Sequence, residues 1–350
     1  MESAIMKFER SPLRKFYPSH LGALAACAAL AAGLGFSATR MVAQTPEITP
    51  LAMAPKSGER TARGTTGPQE GQKTFASAEE ASQALVAALQ SDDAGQLLKV
   101  LGANAKDIVS SGDDAADKEE RQQMAQKYQE MHRLVVEPDG TTTLYIGAEN
   151  WPTPIPLMHK AGQWYFDTAA GKQEILYRRI GRNELAVIQV CAELVDAEKE
   201  YYGQAHDGDA AHQYAEKFWS DPGKHNGLYW QSAAGEPESP IGPLVAQAVS
   251  DRTGEANEQP EPFQGYFFRM LKAPGVPHTQ AVSQGSKDVG AGGGGFAFVA
   301  FPAKYRSSGV MTFLVDQNGI VYEKDLGPRT EEIAKSMTRY RRDASWRKAD

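Results

Sequence analysis

Cysteine is nearly absent from this chain of 350 residues: there are two, Cys27 and Cys191. Cys27 lies in an N-terminal apolar stretch, so the body of the protein carries a single thiol and no intrachain disulfide of its own. A chain of this length can bury enough apolar surface to do without one. Zinc-type spacing is missing too, since neither His-Glu-x-x-His nor Cys-x-x-Cys occurs. No Gly-x-Ser-x-Gly elbow is present. The glycines at 292–295 lack the Lys-Ser/Thr of a phosphate loop and lead into an apolar, strand-like run. They read as a flexible loop or a site of close backbone packing.

Positive charge is also in short supply. The formal net charge is −7, from 37 Lys and Arg against 44 Asp and Glu. The first 43 residues hold five of those bases and two of the acids, so the remainder stands at −10. An acidic body excludes general nucleic-acid binding, which needs cations to displace counterions from phosphates. Long apolar runs are lacking apart from Leu21 to Phe36, 16 uncharged residues behind Lys7, Arg10, Arg14 and Lys15. That pattern reads as a signal segment over 1–43, slightly too short to span a bilayer, with small residues at Ser37, Ala38 and Ala43 for cleavage. Export to the bacterial periplasm, with no membrane span after processing, is the expectation. Two alternatives stay open: an uncleaved anchor, and a lipoprotein signal at Leu24-Ala25-Ala26-Cys27.

Residues 44–72 read as a disordered linker. Pro46, Pro50, Pro55 and Pro68 interrupt a stretch with too little apolar surface to offset the entropy of ordering. An α+β domain over 73–182 follows. Ser77-Ala78-Glu79-Glu80 is a capping box, Asp93 caps a second helix that Gly102 stops, and Lys118 to Met131 is a third. Strands then alternate with turns at Pro138-Asp139-Gly140 and Ala161-Gly162. Helices followed by an antiparallel meander resemble the nuclear-transport-factor-like or cystatin-like folds.

A helical connector over 183–238 comes next. Asn183 is read as a cap, and Leu185, Ile188, Ala192 and Val195 form an apolar stripe beside Cys191. A short helix is expected at Ala210 to Phe218, then an aromatic loop. The last region, 239–350, is expected to be an antiparallel sheet with flanking helices. Its parts are strands at Gly265 to Leu271 and Phe296 to Phe301, a hairpin turning at Asn318-Gly319, and a helix capped by Thr330. This sheet is weakly similar to the head domain of pilin-like proteins, without their assembly helix.

Several runs carry a wider likeness. They are Ile180 to Leu185, Gly223 to Trp230, Ser239 to Pro243, Gly265 to Phe268 and Ser308 to Val315. In these the chain resembles an exported bacterial family, domain-of-unknown-function family 2950, over residues 73 to 348. The resemblance implies no particular activity, cofactor or site residue.

The side chains themselves offer two candidate sites. Trp219, Tyr229 and Trp230 flank Lys224 and His225 in a loop rich in Gly and Pro, a combination able to stack on a glycan or peptide. Glu149, Asp167 and Glu174 lie in or beside the meander, where two carboxylates in a cavity would support hydrolysis. The commoner fates are interdomain packing for the aromatics and ion pairing for the acids. Other patterns have simpler explanations. His206 and His212 are six residues apart, about 120° around a helix, and Asp316-x-Asn318-Gly319 fits a hairpin better than a calcium loop. Ser345-x-x-Lys348 has no partner motif, and the basic tail from Arg339 to Lys348 reads as a solvated face. Neither metal nor cofactor is expected. The expected function is non-catalytic binding of an envelope glycan, peptide or protein. A hydrolase or an envelope assembly factor are the alternatives.

Overall fold

The computed structural model describes residues 67–91, 93–207, 213–232, 237–250, 259–273 and 295–349. The signal segment, most of the linker, Asp209, His212 and the glycines 292–294 lie outside the described residues. The chain forms two compact units that divide between Thr168 and Ala169.

The first unit places helices before strands. Helices α1 (Ala78–Gln90), α2 (Ala94–Leu101), α3 (Lys106–Val109) and α4 (Asp114–Glu130) precede strands β1 (His132–Val136), β2 (Thr142–Ile146), β3 (Trp151–Pro152), β4 (Leu157–Lys160) and β5 (Gln163–Phe166). Local chemistry sets the boundaries. Ser77 Oγ accepts from the Glu80 amide at 3.0 Å, and Glu80 reaches back to the Ala76 amide, one residue beyond the usual capping box. Asp93 caps α2, and Asp113 caps α4 by accepting from two amides. Gly102 stops α2 at φ 90°, a conformation in which a Cβ is strained. The antiparallel sheet runs β1-β2-β4-β5, with β3 paired to β2. Ala161 and Gly162, both at positive φ, make the two-residue turn from β4 to β5. Phe75 exchanges both backbone bonds with Trp164 and adds a bridge to β5.

The second unit opens with α5 (Thr168–Tyr202), 35 residues long, and continues through α6 (Pro243–Gln247), β6 (Tyr266–Ala273), β7 (Gly295–Pro302), β8 (Met311–Asp316), β9 (Tyr322–Asp325), α7 (Thr330–Ser336) and β10 (Arg347–Lys348). Its antiparallel sheet has the order β10-β9-β8-β7-β6. Both faces are covered. Phe268, Phe298, Phe313 and Val315 pack with Val187, Val190, Cys191 and Leu194 of α5 in one core. Val299, Phe301 and Leu314 pack with Ala334 of α7 and Trp346 of the tail in another. This is why β7 reads as an unbroken apolar run: each alternate side chain has a core to enter.

The chain is thus α+β, as its pattern indicates, and several local expectations are corrected. Asn183 caps nothing, because α5 passes through it unbroken and its amide donates instead to the Ser308 carbonyl at 2.8 Å. Leu185 is 53% exposed, and the buried stripe is Val187, Val190, Cys191, Leu194, Val195 and Tyr201. Residues 213–218 are not helical. Thr330 is the first residue of α7, and its hydroxyl donates back to Gly327 rather than accepting from the helix. In the β8–β9 connection only Gly319 of the Asn-Gly pair has positive φ. The Gly319 amide closes onto Asp316 and leaves Ile320 facing outward.

Gly181 sits inside α5 with open space around it and no left-handed backbone. Gly181→Ala is expected to raise stability by about 1 kcal/mol, because glycine costs entropy in a helix and the new methyl meets nothing. An upward shift of the urea midpoint checks this.

Candidate functional site

A pocket lies in the first unit. Leu85 and Leu89 of α1 and Leu97 and Leu101 of α2 each recur at helical spacing and turn inward. Ile108 and Val109 of α3, Ile155 and Phe166 continue the wall. The cover is α4, a mostly polar helix of 17 residues whose buried positions are Asp117, Met124, Ala125 and Tyr128. Met124 is the one long aliphatic side chain it offers to that wall. The apolar supply from α1, α2 and α3 therefore meets a thin lid. The cleft left between them has a cavity volume of about 40 Å³, and about 600 Å³ when the open mouth is counted. A narrow, greasy slot of this kind suits one aliphatic chain or one ring.

Its polar groups are few: Asp117, Glu120 and Arg121 of α4, and Thr153. Asp117 is buried and spent, accepting from the Ser111 amide and hydroxyl, the latter at 2.7 Å. Glu120 and Arg121 stand beside it on the wall. Thr153 is different. It is 5% exposed, its amide bonds the Leu144 carbonyl at 2.8 Å, and its Oγ1 is buried with no hydrogen-bond partner. A hydroxyl left dry and unbonded costs free energy on the order of 1–3 kcal/mol, so a bound group that completes it has that much to regain.

The aromatic loop is built differently. The Trp219 indole donates to the Ala246 carbonyl at 2.7 Å, and the Trp230 indole to the Pro237 carbonyl at 3.0 Å. Tyr229 meets Trp219 edge to face at 4.7 Å. Of the five predicted binding residues Lys224 is the one that is exposed, 3.9 Å from Asp221, and Asn226 and Lys217 hold the Asp221 carboxyl below its ordinary range. His225 packs edge-on to Trp230 and bonds Asp207, whose carboxylate also receives the His225 amide. His206 stacks on Tyr201 at 3.9 Å. The predicted binding residues are thus brought together, with their indole donors bonded within the loop's own surroundings. Gly227 has to be glycine here, since a Cβ would stand 2.7 Å from the Trp219 carbonyl carbon.

The three carboxylates are engaged separately. Glu149 is exposed, and its own backbone amide and Lys127, 3.1 Å away, hold its carboxyl below the usual range. Asp167 ends β5 with its amide on the Pro156 carbonyl. Glu174 pairs with Arg178 at 2.9 Å along α5. None of the three lines the pocket. Cys191 is fully buried, and burial pushes its thiol up to about 12, which leaves it inert.

One buried acid escapes a reading based on motifs. Glu198 lies on the core face of α5, four residues after Leu194, and is 0% exposed. The Ala215 amide donates to its Oε2 at 3.0 Å, while its Oε1 has no partner. Burial pushes its carboxyl up to about 8, only partly countered by that one hydrogen bond. The helical spacing alone puts it in the core, and the surrounding charge pattern hides it.

The runs that carry the family likeness meet in space within the second unit. Glu184 Oε1 accepts from the Val310 and Met311 amides at 2.8 and 2.9 Å, and the Asn183 amide bonds Ser308. Tyr266 donates to the Met311 carbonyl at 2.9 Å. The Leu228 carbonyl accepts from Ile241, joining the Gly223–Trp230 run to the Ser239–Pro243 run. These contacts define a protein of α+β class whose signature residues fasten α5 and the aromatic loop to the elements around them. The chain belongs to the DUF2950 family, described as "Protein of unknown function (DUF2950)", whose model matches residues 72–349. Gln72, where that match begins, ties the start of the first unit to the Val100 and Phe166 carbonyls. No curated protein and no solved structure matches the chain. Among the described residues no helix is long and apolar enough to cross a membrane.

Proposed function

We propose that this chain is an exported protein of the bacterial cell envelope that binds a slender apolar molecule in the pocket of its first unit, without catalysis. The carrying observation is the pocket itself, a leucine-rich slot with a single orphaned hydroxyl, Thr153 Oγ1, in its wall. Such a slot gains affinity from every methylene it removes from water, and the hydroxyl selects a ligand that ends in a hydrogen-bonding group. Export rests on the basic head from Lys7 to Lys15 and the apolar run behind it. The acidic body agrees with a partner that is not nucleic acid.

One preparation tests both halves. The native chain is recovered by fractionation and titrated with the dye N-phenyl-1-naphthylamine, then with n-alkanols of increasing length as competitors. Periplasmic recovery without residues 1–43 is expected. Saturable dye uptake is expected as well, with alkanol affinity rising about fourfold per methylene until the slot is full. Val109→Trp, which fills the slot, abolishes uptake while circular dichroism stays native. Thr153→Val, nearly isosteric, keeps the dye and weakens the alkanols about fivefold. Cytosolic recovery with an intact N-terminus overturns export. Absent uptake by the folded wild-type protein overturns binding.

A further inference from the structure

A second cleft lies in the second unit, where the Asp316-x-Asn318-Gly319 turn meets the basic tail. It is formed by Asp316 at the end of β8, Asn318 and Ile320 of the β8–β9 connection, Tyr322 of β9, and Tyr340 and Arg342 of the tail. Its volume, about 250 Å³, is slightly below the usual range for small-molecule sites. We propose that this cleft binds one unit of a neutral carbohydrate, held between the carboxylate–amide pair of Asp316 and Asn318 and the Arg342 guanidinium.

The charges select the ligand class. One anion and one cation face the same space, so neither an anionic nor a cationic group gains on balance. A hydroxyl group can satisfy both, because it donates to a carboxylate and accepts from a guanidinium. Neighbouring hydroxyls on a sugar ring present that pairing repeatedly.

The polar groups are fixed before any ligand arrives. Asp316 Oδ1 accepts from the Asn318 amide and from its side-chain nitrogen, both at 3.0 Å. Asp316 Oδ2 and the Asn318 side-chain carbonyl oxygen take no part in those two bonds and remain as acceptors. The Arg342 guanidinium lies over the Tyr322 ring at 4.1 Å and hydrogen-bonds the Tyr340 hydroxyl, which fixes it in place and leaves further N–H groups of its five for a ligand. Tyr340 is anchored through its backbone amide to the Lys272 carbonyl at 2.9 Å. Ile320, 39% exposed, supplies the apolar side. A ring with hydroxyls on its edge and C–H bonds on its face fits a cleft lined by Asp316, Asn318 and Arg342 together with Ile320 and two tyrosine rings. A lipid chain would leave the polar groups unpaired, and a phosphate would confront Asp316.

Calorimetric titration of the purified protein tests the assignment, with maltotriose, chitotriose and mannotriose as neutral probes and polyphosphate as the anionic one. At least one trisaccharide is expected to bind saturably, with an affinity that does not change with salt. Asp316→Asn keeps the turn's side-chain acceptor and removes the charge, so it is expected to weaken that sugar about tenfold. Arg342→Ala is expected to do the same. Both variants keep the wild-type circular dichroism and a cooperative urea transition, which shows that the second unit is folded. The proposal is overturned if no trisaccharide binds at roughly 10 mM, if binding ignores both substitutions, or if polyphosphate binds in a salt-dependent manner while the sugars do not.

Discussion

Glu198→Gln is expected to flatten the pH dependence of stability between about pH 4.5 and pH 8. The wild-type carboxyl is buried with one hydrogen bond on Oε2 and none on Oε1, and its folded value is pushed up to about 8 from an ordinary 4.5. Between those values the folded protein holds a proton that the unfolded chain has released. Unfolding therefore becomes easier as pH rises through that window, and the effect levels off above the folded value. Below about 4.5 both states are protonated and the group contributes no slope. Glutamine keeps the shape and the acceptor for the Ala215 amide but has no proton to lose. Wild type and variant should be similar in acid, and the variant should be the more stable by up to roughly 4 kcal/mol near pH 9. Urea unfolding of both proteins across this range measures the difference directly, and the subtraction cancels every other titrating group. Parallel stability curves would mean that Glu198 ionises freely in the folded state. Lysine at the same position should be far worse than glutamine, since it places an unpaired charge in the same core.

Gly309→Ala is expected to destabilise the protein by more than about 3 kcal/mol. A Cβ at Gly309 would stand 2.0 Å from the Tyr266 hydroxyl oxygen and 2.5 Å from Cζ. Tyr266 is 0% exposed and its hydroxyl is tied to the Met311 carbonyl, so the ring has nowhere to go without opening the core around Phe313. The Val310 and Met311 amides that bind Glu184 follow directly in the chain, so the same displacement would also disturb that carboxylate's partners. The contrast with Gly181→Ala is informative, because one substitution gives opposite signs at two places. At Gly181 the methyl enters open space, and at Gly309 it enters an occupied one. Thermal unfolding of the two variants side by side reads the difference. A loss of under about 1 kcal/mol at Gly309 would show that the Tyr266 ring yields easily.

Much of the local structure is legible in the chain. Ser77, Asp93 and Gly102 mark helix ends because capping depends on atoms within a few residues. The Ala161-Gly162 turn and the β7 run are equally local. Misreadings arise where a distant partner decides. Asn183 has the chemistry of a cap, but Ser308, 125 residues away in sequence, takes its hydrogen bond and α5 continues. Thr330 is a local misreading instead: its hydroxyl bonds the Gly327 carbonyl three residues back rather than an amide of its helix. The predicted aromatic site is assembled as an aromatic cluster, yet the sequence gives no sign that the Trp219 and Trp230 donors are already bonded to Ala246 and Pro237. The pocket is least legible of all. Its wall is visible as leucines at helical spacing, but its emptiness comes from how little α4 contributes opposite them.

By itself the sequence determined the α+β class, the family and the absence of the familiar catalytic spacings, because those depend on residue type and short-range order. Tertiary packing alone decided where space remains beside Thr153, that Glu198 is sealed from water, and that Asp316 and Arg342 line one cleft. The physical reason is that voids, desolvation and the meeting of distant charges belong to the arrangement of several elements at once, and no segment encodes them alone.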